Sequence, residues 1–213
     1  MSRPRINRAA VLTATLVVSV ISLGGCSGTS RIVYPIFDVE VSSPPLVSLT
    51  REPVTVHVGR FALPVDGQDP TRIGNARTGV SGRYASVRLS EHPSELLART
   101  LETALAGAGI RIVDADAATY SISGGIGRFG VEERHVRDNL ESSVAYVRFE
   151  AALDDASGAR LWSKELESEA VSYPSLDATK LQKRMLQQAI AETVQAMIDD
   201  RALWRALGVR PAS

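Results

Sequence analysis

The sequence holds a single cysteine, Cys26, in 213 residues. An internal disulfide is therefore impossible, and a cysteine-stapled scaffold is excluded. Aromatic residues make up only 5%, thin for a surface that stacks sugars or bases. Charge of one sign is lacking too, with 24 Lys+Arg against 24 Asp+Glu. A nucleic-acid binder needs a basic stripe to displace counterions, so nucleic acid is not an expected partner. No apolar run reaches the roughly 20 residues with which a helix crosses a ~30 Å hydrocarbon core. His57, His92 and His135 lie far apart, with no H-E-x-x-H or cysteine–histidine spacing. No metal is expected from them. There is no G-x-S-x-G elbow, and nothing places a nucleophile beside its base. No catalytic residue and no cofactor is nominated, and the chain is read as a non-enzyme.

What is present starts at the N-terminus. Arg3, Arg5 and Arg8 form a positive stretch with no acidic residue before Cys26. The run Ala9 to Leu23 (AAVLTATLVVSVISL) follows, 15 residues long, which matches the apolar region of a cleavable export signal. It ends at Leu23-Gly24-Gly25-Cys26, which resembles the lipobox of bacterial lipoproteins. The resemblance implies that residues 1–25 are a signal peptide, removed on export. Gly24 and Gly25 would let the backbone enter the signal peptidase. Cys26 would carry a diacylglyceryl group and an N-acyl chain, palmitate among the acyl groups. The bland alternative is an ordinary small residue or a free thiol, and an exposed thiol is a liability in an oxidising compartment. One acyl chain holds only reversibly, whereas two or more anchor stably. Ser27, not Asp, follows the cysteine. In enterobacteria-like sorting this implies the periplasmic face of the outer membrane over the inner membrane. Loss of residues 1–25 removes three arginines and no acid, which leaves the mature chain slightly negative.

Residues 26–53 read as lipidated N-terminus, tether and entry segment. Ser27-Gly28-Thr29-Ser30 is flexible in composition, and Ser42-Ser43-Pro44-Pro45 favours extended backbone. Ile32-Val33-Tyr34-Pro35-Ile36-Phe37 is apolar for a linker. It reads either as an edge strand packed on the domain or as a segment that docks to a partner. Fully extended, the tether would reach on the order of 90 Å at ~3.3 Å per residue.

A single domain is assigned to residues 54–208, with 209–213 as a tail. Val54, Val56 and Val58 alternate with polar residues and predict a strand over 54–63. Residues 64–89 form a polar, glycine-bearing excursion, of which Gly82 to Leu89 suits an edge strand. Pro93 at the first helical position, capped by Ser90 or His92, opens a helix to Ala108, with Leu97, Leu101, Ala104 and Leu105 on one face. Gly109 ends it, and Ile110 to Val113 forms a short strand. Three longer strands follow over 119–132, 143–154 and 160–172. Beside the glycines of the first, the inward parity changes from Ile122 and Ile126 to Phe129 and Val131, as a β-bulge produces. A helix over 177–198 carries the stripe Leu181, Met185, Leu186, Ala189, Ile190, Val194 and Met197. Asp199-Asp200 then caps a last turn over 201–207. The expected fold is α+β, a two-layer sandwich in the order β-α-β-β-β-β-α. A mostly antiparallel sheet of about five strands would carry two main helices on one face.

Some features invite a sharper reading. Gly125-Ile126-Gly127-Arg128-Phe129-Gly130 matches G-x-G-x-x-G, but a dinucleotide site needs a helix N-terminus next, and Val131-Glu132-Glu133 continues a strand. Nucleotide is not an expected ligand. Lys180, Lys183 and Arg184 form a basic edge that either meets acidic head groups or is a solvated helix face. Trp204, with Leu203 and Leu207, either docks a partner or packs a terminal turn.

The strand 54–63, the Asp69…Arg72-Ile73-Gly74 loop and the Leu96-to-Gly109 helix (SELLARTLETALAGAG) together resemble the YajG-like lipoprotein family. So do Tyr120-Ser121-Ile122, the hairpin through Gly158 to Trp162, and the terminal helix. The pattern is loose and also resembles auxiliary lipoproteins of ABC-type transport systems. Neither group brings catalytic residues. The resemblance implies a lipid-anchored, non-enzymatic binding or assembly module facing the periplasm, with an envelope protein or a lipid as partner. The alternatives are an accessory lipoprotein of a lipid or lipopolysaccharide transporter and, more remotely, an envelope hydrolase.

Overall fold

The computed structural model describes residues 31–34, 39–43, 46–48, 53–63, 69–78, 83–136, 139–173 and 178–211. Its frame is a meander of three long strands, β7 (Tyr120–Val136), β8 (Asn139–Asp155) and β9 (Arg160–Ser172). Period-2 alternation builds them. Val147, Phe149, Ala151 and Leu153 of β8 and Trp162, Leu166 and Ala170 of β9 are buried, while Arg148, Glu150 and Glu165 face water. At the β8–β9 turn the Asp155 carboxylate accepts from the Ser157 hydroxyl (2.6 Å), the Ser157 amide (2.8 Å) and the Ala159 amide (3.0 Å). These bonds, the Ser157 hydroxyl foremost, hold the Asp155 carboxyl below the usual carboxylate range.

β7 is the fork of the sheet. One of its edges pairs with β8 throughout. The other takes two partners in succession: β3 (Thr55–Ala62) along Tyr120 to Gly125, and β4 (Arg72–Thr78) where Gly74 meets Val131. Beyond β3 lies β6 (Arg111–Ile112); beyond β4 lie β5 (Arg83–Leu89) and β1 (Arg31–Tyr34). The parity change read from the sequence is a register shift between Ile126 and Arg128. At the β4–β7 crossing a Cβ on Gly74 would overlap the carbonyl of Val131, and one on Gly130 the carbonyl of Ile73. The two backbones therefore approach there as only glycine allows.

Two helices, α1 (Pro93–Gly107) and α2 (Ala178–Ile198), cover one face of the sheet. The His92 imidazole caps α1, its Nδ1 accepting from the Ser94 amide at 3.3 Å. The predicted stripes are buried: Leu97, Leu101, Ala104 and Leu105 on α1, and Met185, Leu186, Ala189, Ile190, Val194 and Met197 on α2. The short α3 (Arg201–Ala206) is capped by Asp200. The indole of Trp204 is buried and donates to the Ile198 carbonyl at 2.6 Å, so Trp204 packs the terminal turn.

The fold is mixed α+β, and three expectations are corrected. The main sheet has eight strands, where about five were expected. β1, β4 and β5 account for much of the difference, and the β-α-β-β-β-β-α order lacks them. Secondly, the sheet is less antiparallel than expected: β1–β5, β3–β6, β3–β7 and β4–β7 are all parallel. β4, RIGNART, falls in the excursion 64–89 because it lacks a period-2 apolar pattern; only Ile73 and Ala76 among its described side chains are buried. β5 is not an edge strand, since β1 covers its free side. Thirdly, residues 209–211 of the assigned tail form β10 (Val209–Pro211), which pairs with β2 (Leu46–Ser48) and buries Val209. Strands of three residues are too short to show a period.

Candidate functional site

The lipobox Leu23, Gly24, Gly25 and Cys26 lies outside the described residues. The structure does give the place where the described chain first joins the fold. Arg31 pairs with Ser86, and β1 runs parallel to β5 as far as Tyr34 and Leu89. Tyr34 turns inward, is 2% exposed, and its phenol donates to Gln182 Oε1 of α2 at 3.2 Å. Burial pushes this phenol above the usual tyrosine range, so it is a neutral donor. For the apolar segment 32–37 the structure therefore gives a strand over Arg31–Tyr34, with residues 35–38 outside the described set.

The chain then crosses the helix layer. Val39 joins the core. The Ser42 amide donates to Gln195 Oε1 of α2 (2.9 Å) and the Ser43 hydroxyl to the Ala104 carbonyl of α1 (2.6 Å). With β2 paired to β10, much of segment 31–48 is bound to the domain. The link from Cys26 to Arg31, the first described residue, spans five residues, at most about 17 Å, where a free 27-residue tether would reach far further.

The clefts are shallow and charged. One of about 620 Å³ lies between α1 and β3, lined by His57, Arg60, Glu91, Glu95 and Arg99 among others. Its charges pair with each other, Arg60 with Glu95 at 3.1 Å and Arg99 with Glu91 at 2.8 Å. His57 Nδ1 stands 3.4 Å from the Val113 carbonyl. Two troughs on the open sheet face follow the glycines of β7. One is lined by Gly125, Gly127, Arg148, Glu150 and Glu165, the other by Gly74, Tyr84, Glu132, Glu133 and Tyr146. G-x-G-x-x-G is thus part of a bulged strand and opens no helix. Among the described residues no three His, Cys, Asp or Glu are placed to hold a metal ion, and no helix is long and apolar enough to cross a membrane.

The remaining candidates are separated. His92 is a helix cap, and the side chain of His135 is outside the described set. Asp154 pairs with Arg160, and Asp200 with Lys164 at 2.9 Å. Lys180, Lys183 and Arg184 sit on the first two turns of α2, the end at which Gln182 meets Tyr34 of β1. Sequence reasoning did not find that Tyr34–Gln182 link. Its signal was a tyrosine inside an apolar stretch, and its partner lies 148 positions away.

A helix layer on one face of a forked mixed sheet, entered by an N-terminal edge strand, defines the structural class. No family model matches the sequence, and no curated protein matches it. The fold matches the crystal structure of protein XCC0632 from Xanthomonas campestris, of the family model DUF330. The TM-score is 0.57 at 14% identity, over 78% of this chain and 92% of that one. Bacterial lipoproteins are also structural neighbours. Lipoprotein B from Nitrosomonas europaea aligns with a TM-score of 0.46 at 16% identity, over 74% of this chain and 87% of that one. A minor lipoprotein from Acinetobacter baumannii aligns with a TM-score of 0.44 at 10% identity, over 74% and 97%.

Proposed function

We propose that the chain is a lipid-anchored lipoprotein of the bacterial envelope, held at the periplasmic face of the outer membrane through Cys26. It acts there as a non-enzymatic binding or assembly module. One observation carries the reading: an arginine-led apolar run ends at Leu23-Gly24-Gly25-Cys26, and strand β1 begins five residues later. Lipoproteins among the structural neighbours support it. The loop around Asp69, which pairs with Arg88 and leads into Gly74, and the helix 93–107 support placing the chain beside the YajG-like lipoproteins. Assembly is favoured over carriage of a lipid for a physical reason. The clefts described above carry carboxylates and guanidiniums where an acyl chain needs apolar walls. By contrast, among the described residues β9 pairs on one side only along its 13 residues. Glu165, Glu167 and Glu169 on it select against indiscriminate strand addition.

The test is Cys26→Ala in the full chain expressed with its signal. The expected result is an unprocessed or soluble protein in place of a membrane-bound one. Unchanged membrane fractionation after detergent-free washing overturns the anchor. Crosslinking in intact cells from a photoreactive residue at Glu167 should capture one defined envelope protein.

A further inference from the structure

Register places the anchor at one end of the molecule. Arg31 of β1 pairs with Ser86, Ser86 with Asn75, and the adjoining Gly74 with Val131. Val131 pairs with Ala145, and Ala145 with Ala170. These residues form one transverse row across the sheet. Tyr84 lies beyond the row on β5, Val171 and Tyr173 lie beyond it at the end of β9, and α2 begins on the same side. β7 is 17 residues long, about 55 Å at ~3.3 Å per residue. A link of about 17 Å from Arg31 to Cys26 therefore cannot bring the anchor to the opposite end, where β8 turns into β9.

The two ends differ in surface chemistry. Five large apolar side chains stand out among the described residues: Val33, Tyr84, Leu161, Val171 and Tyr173. All but Leu161 belong to the entry half, and Tyr173 is 82% exposed. Arg31 and the α2 residues Lys180 and Arg184 are exposed there as well. Of the acidic groups nearby, Glu132 and Glu169 are bridged by Arg134 at 3.5 and 2.8 Å. The far end carries Asp114, Asp116, Asp154, Asp155, Asp199 and Asp200 beside Arg160 and Lys164, which pair with Asp154 and Asp200, and among the described large apolar side chains only Leu161 is exposed there. Tyrosine settles at the lipid–water boundary, and exposed Lys and Arg are drawn to anionic head groups.

We propose that the entry end is a membrane-docking surface. Tyr173, Tyr84 and Val171 sit at the head-group level, and Arg31, Lys180 and Arg184 face anionic phospholipid, so that the domain stands on its own bilayer with β8–β9 pointing away. The inference rests on the lipid-anchor reading. It adds that a protein surface touches the membrane beside the lipid, so that the domain's orientation on the bilayer is fixed as well as its attachment.

The experiment uses the mature lipidated chain in phosphatidylcholine vesicles, with and without about 30 per cent phosphatidylglycerol. Tyr173→Trp and Leu161→Trp serve as reporters, read as the difference from the parent fluorescence of the buried Trp162 and Trp204. Brominated lipid should quench the Tyr173→Trp signal several-fold more than that of Leu161→Trp. Adding Lys180→Glu and Arg184→Glu should remove most of the gain given by phosphatidylglycerol. Failure of the chain to float with vesicles overturns the anchor and the docking together. Flotation with equal quenching at the two positions overturns the docking alone, as does quenching indifferent to the charge reversal.

Discussion

On the helix-covered face of the sheet, Val147, Phe149, Ala151 and Leu153 of β8 are completely shielded. Their immediate neighbours Arg148 and Glu150 stand in water on the other face. There Tyr146 is covered chiefly by the Arg128 guanidinium, 3.7 Å above its ring, and Arg134 spans Glu132 and Glu169. The same strand thus serves two surfaces held by different forces. Apolar burial contributes roughly 25 cal/mol per Å² and does not weaken with salt. Exposed ion pairs contribute about 0–1 kcal/mol and are screened. The difference teaches that fold stability resides on the covered face, so the open face is free to vary with whatever it meets.

Four substitutions break or sharpen this contrast. Phe149→Ala removes one ring of the edge-to-face pair with Phe61, whose centroids are 5.4 Å apart. It should cost about 3–5 kcal/mol in urea unfolding; a loss under about 1 kcal/mol would mean the covered face is not where stability lies. Gly130→Ala, a small change at the fork, should cost roughly 1–3 kcal/mol because the β4 backbone must move away. A melting temperature equal to the parent's would refute the close approach.

Asp200 lies at the end of the helix layer, capping α3 through the Ala202 amide (2.8 Å) and pairing with Lys164 of β9. Burial works against its ionisation, but the Lys164 ammonium and the Ala202 amide outweigh it and hold the carboxyl below the usual range. Its stabilising effect is therefore complete above the unfolded-state value and is lost as pH falls through the folded one. Asp200→Asn should cost about 0.5–1 kcal/mol at neutral pH. The gap to the parent should close below about pH 4, and a gap that widens on acidification would reverse the assigned sign. The smallest effect belongs to the open face. Arg134→Ala should change stability by no more than about 1 kcal/mol, and high salt should erase the difference in denaturant midpoint.

Much of the fold was legible because it repeats. The stripe from Met185 to Met197, the alternation around Phe149 and the parity change at Gly127 each span several residues of a regular period. β1, β2 and β10 span three or four residues, and their partners lie dozens of positions away or more, so no local pattern records them. β4 was hidden for another reason: glycine and polar residues occupy it because the backbone of β7 comes so near. The site divides in the same way. Cys26 is proposed from sequence alone, because a processing signal is linear in sequence and needs no fold to be recognised. The docking end joins Arg31, Tyr84, Tyr173 and Arg184, which only the strand register brings to one level.

The parallel pairing of β1 with β5 also has a mechanical side. Under the proposed anchoring at Cys26, a pull directed along the strand axis draws Arg31 away from Ser86 in the plane of their pairing. The rungs from Arg31 to Tyr34 then share the load together instead of opening one at a time. Behind them the phenol of Tyr34 is bonded into α2, and Ser42 and Ser43 grip both helices. Under that anchoring, a load entering at Arg31 is shared with the helix layer through these bonds before it reaches β3.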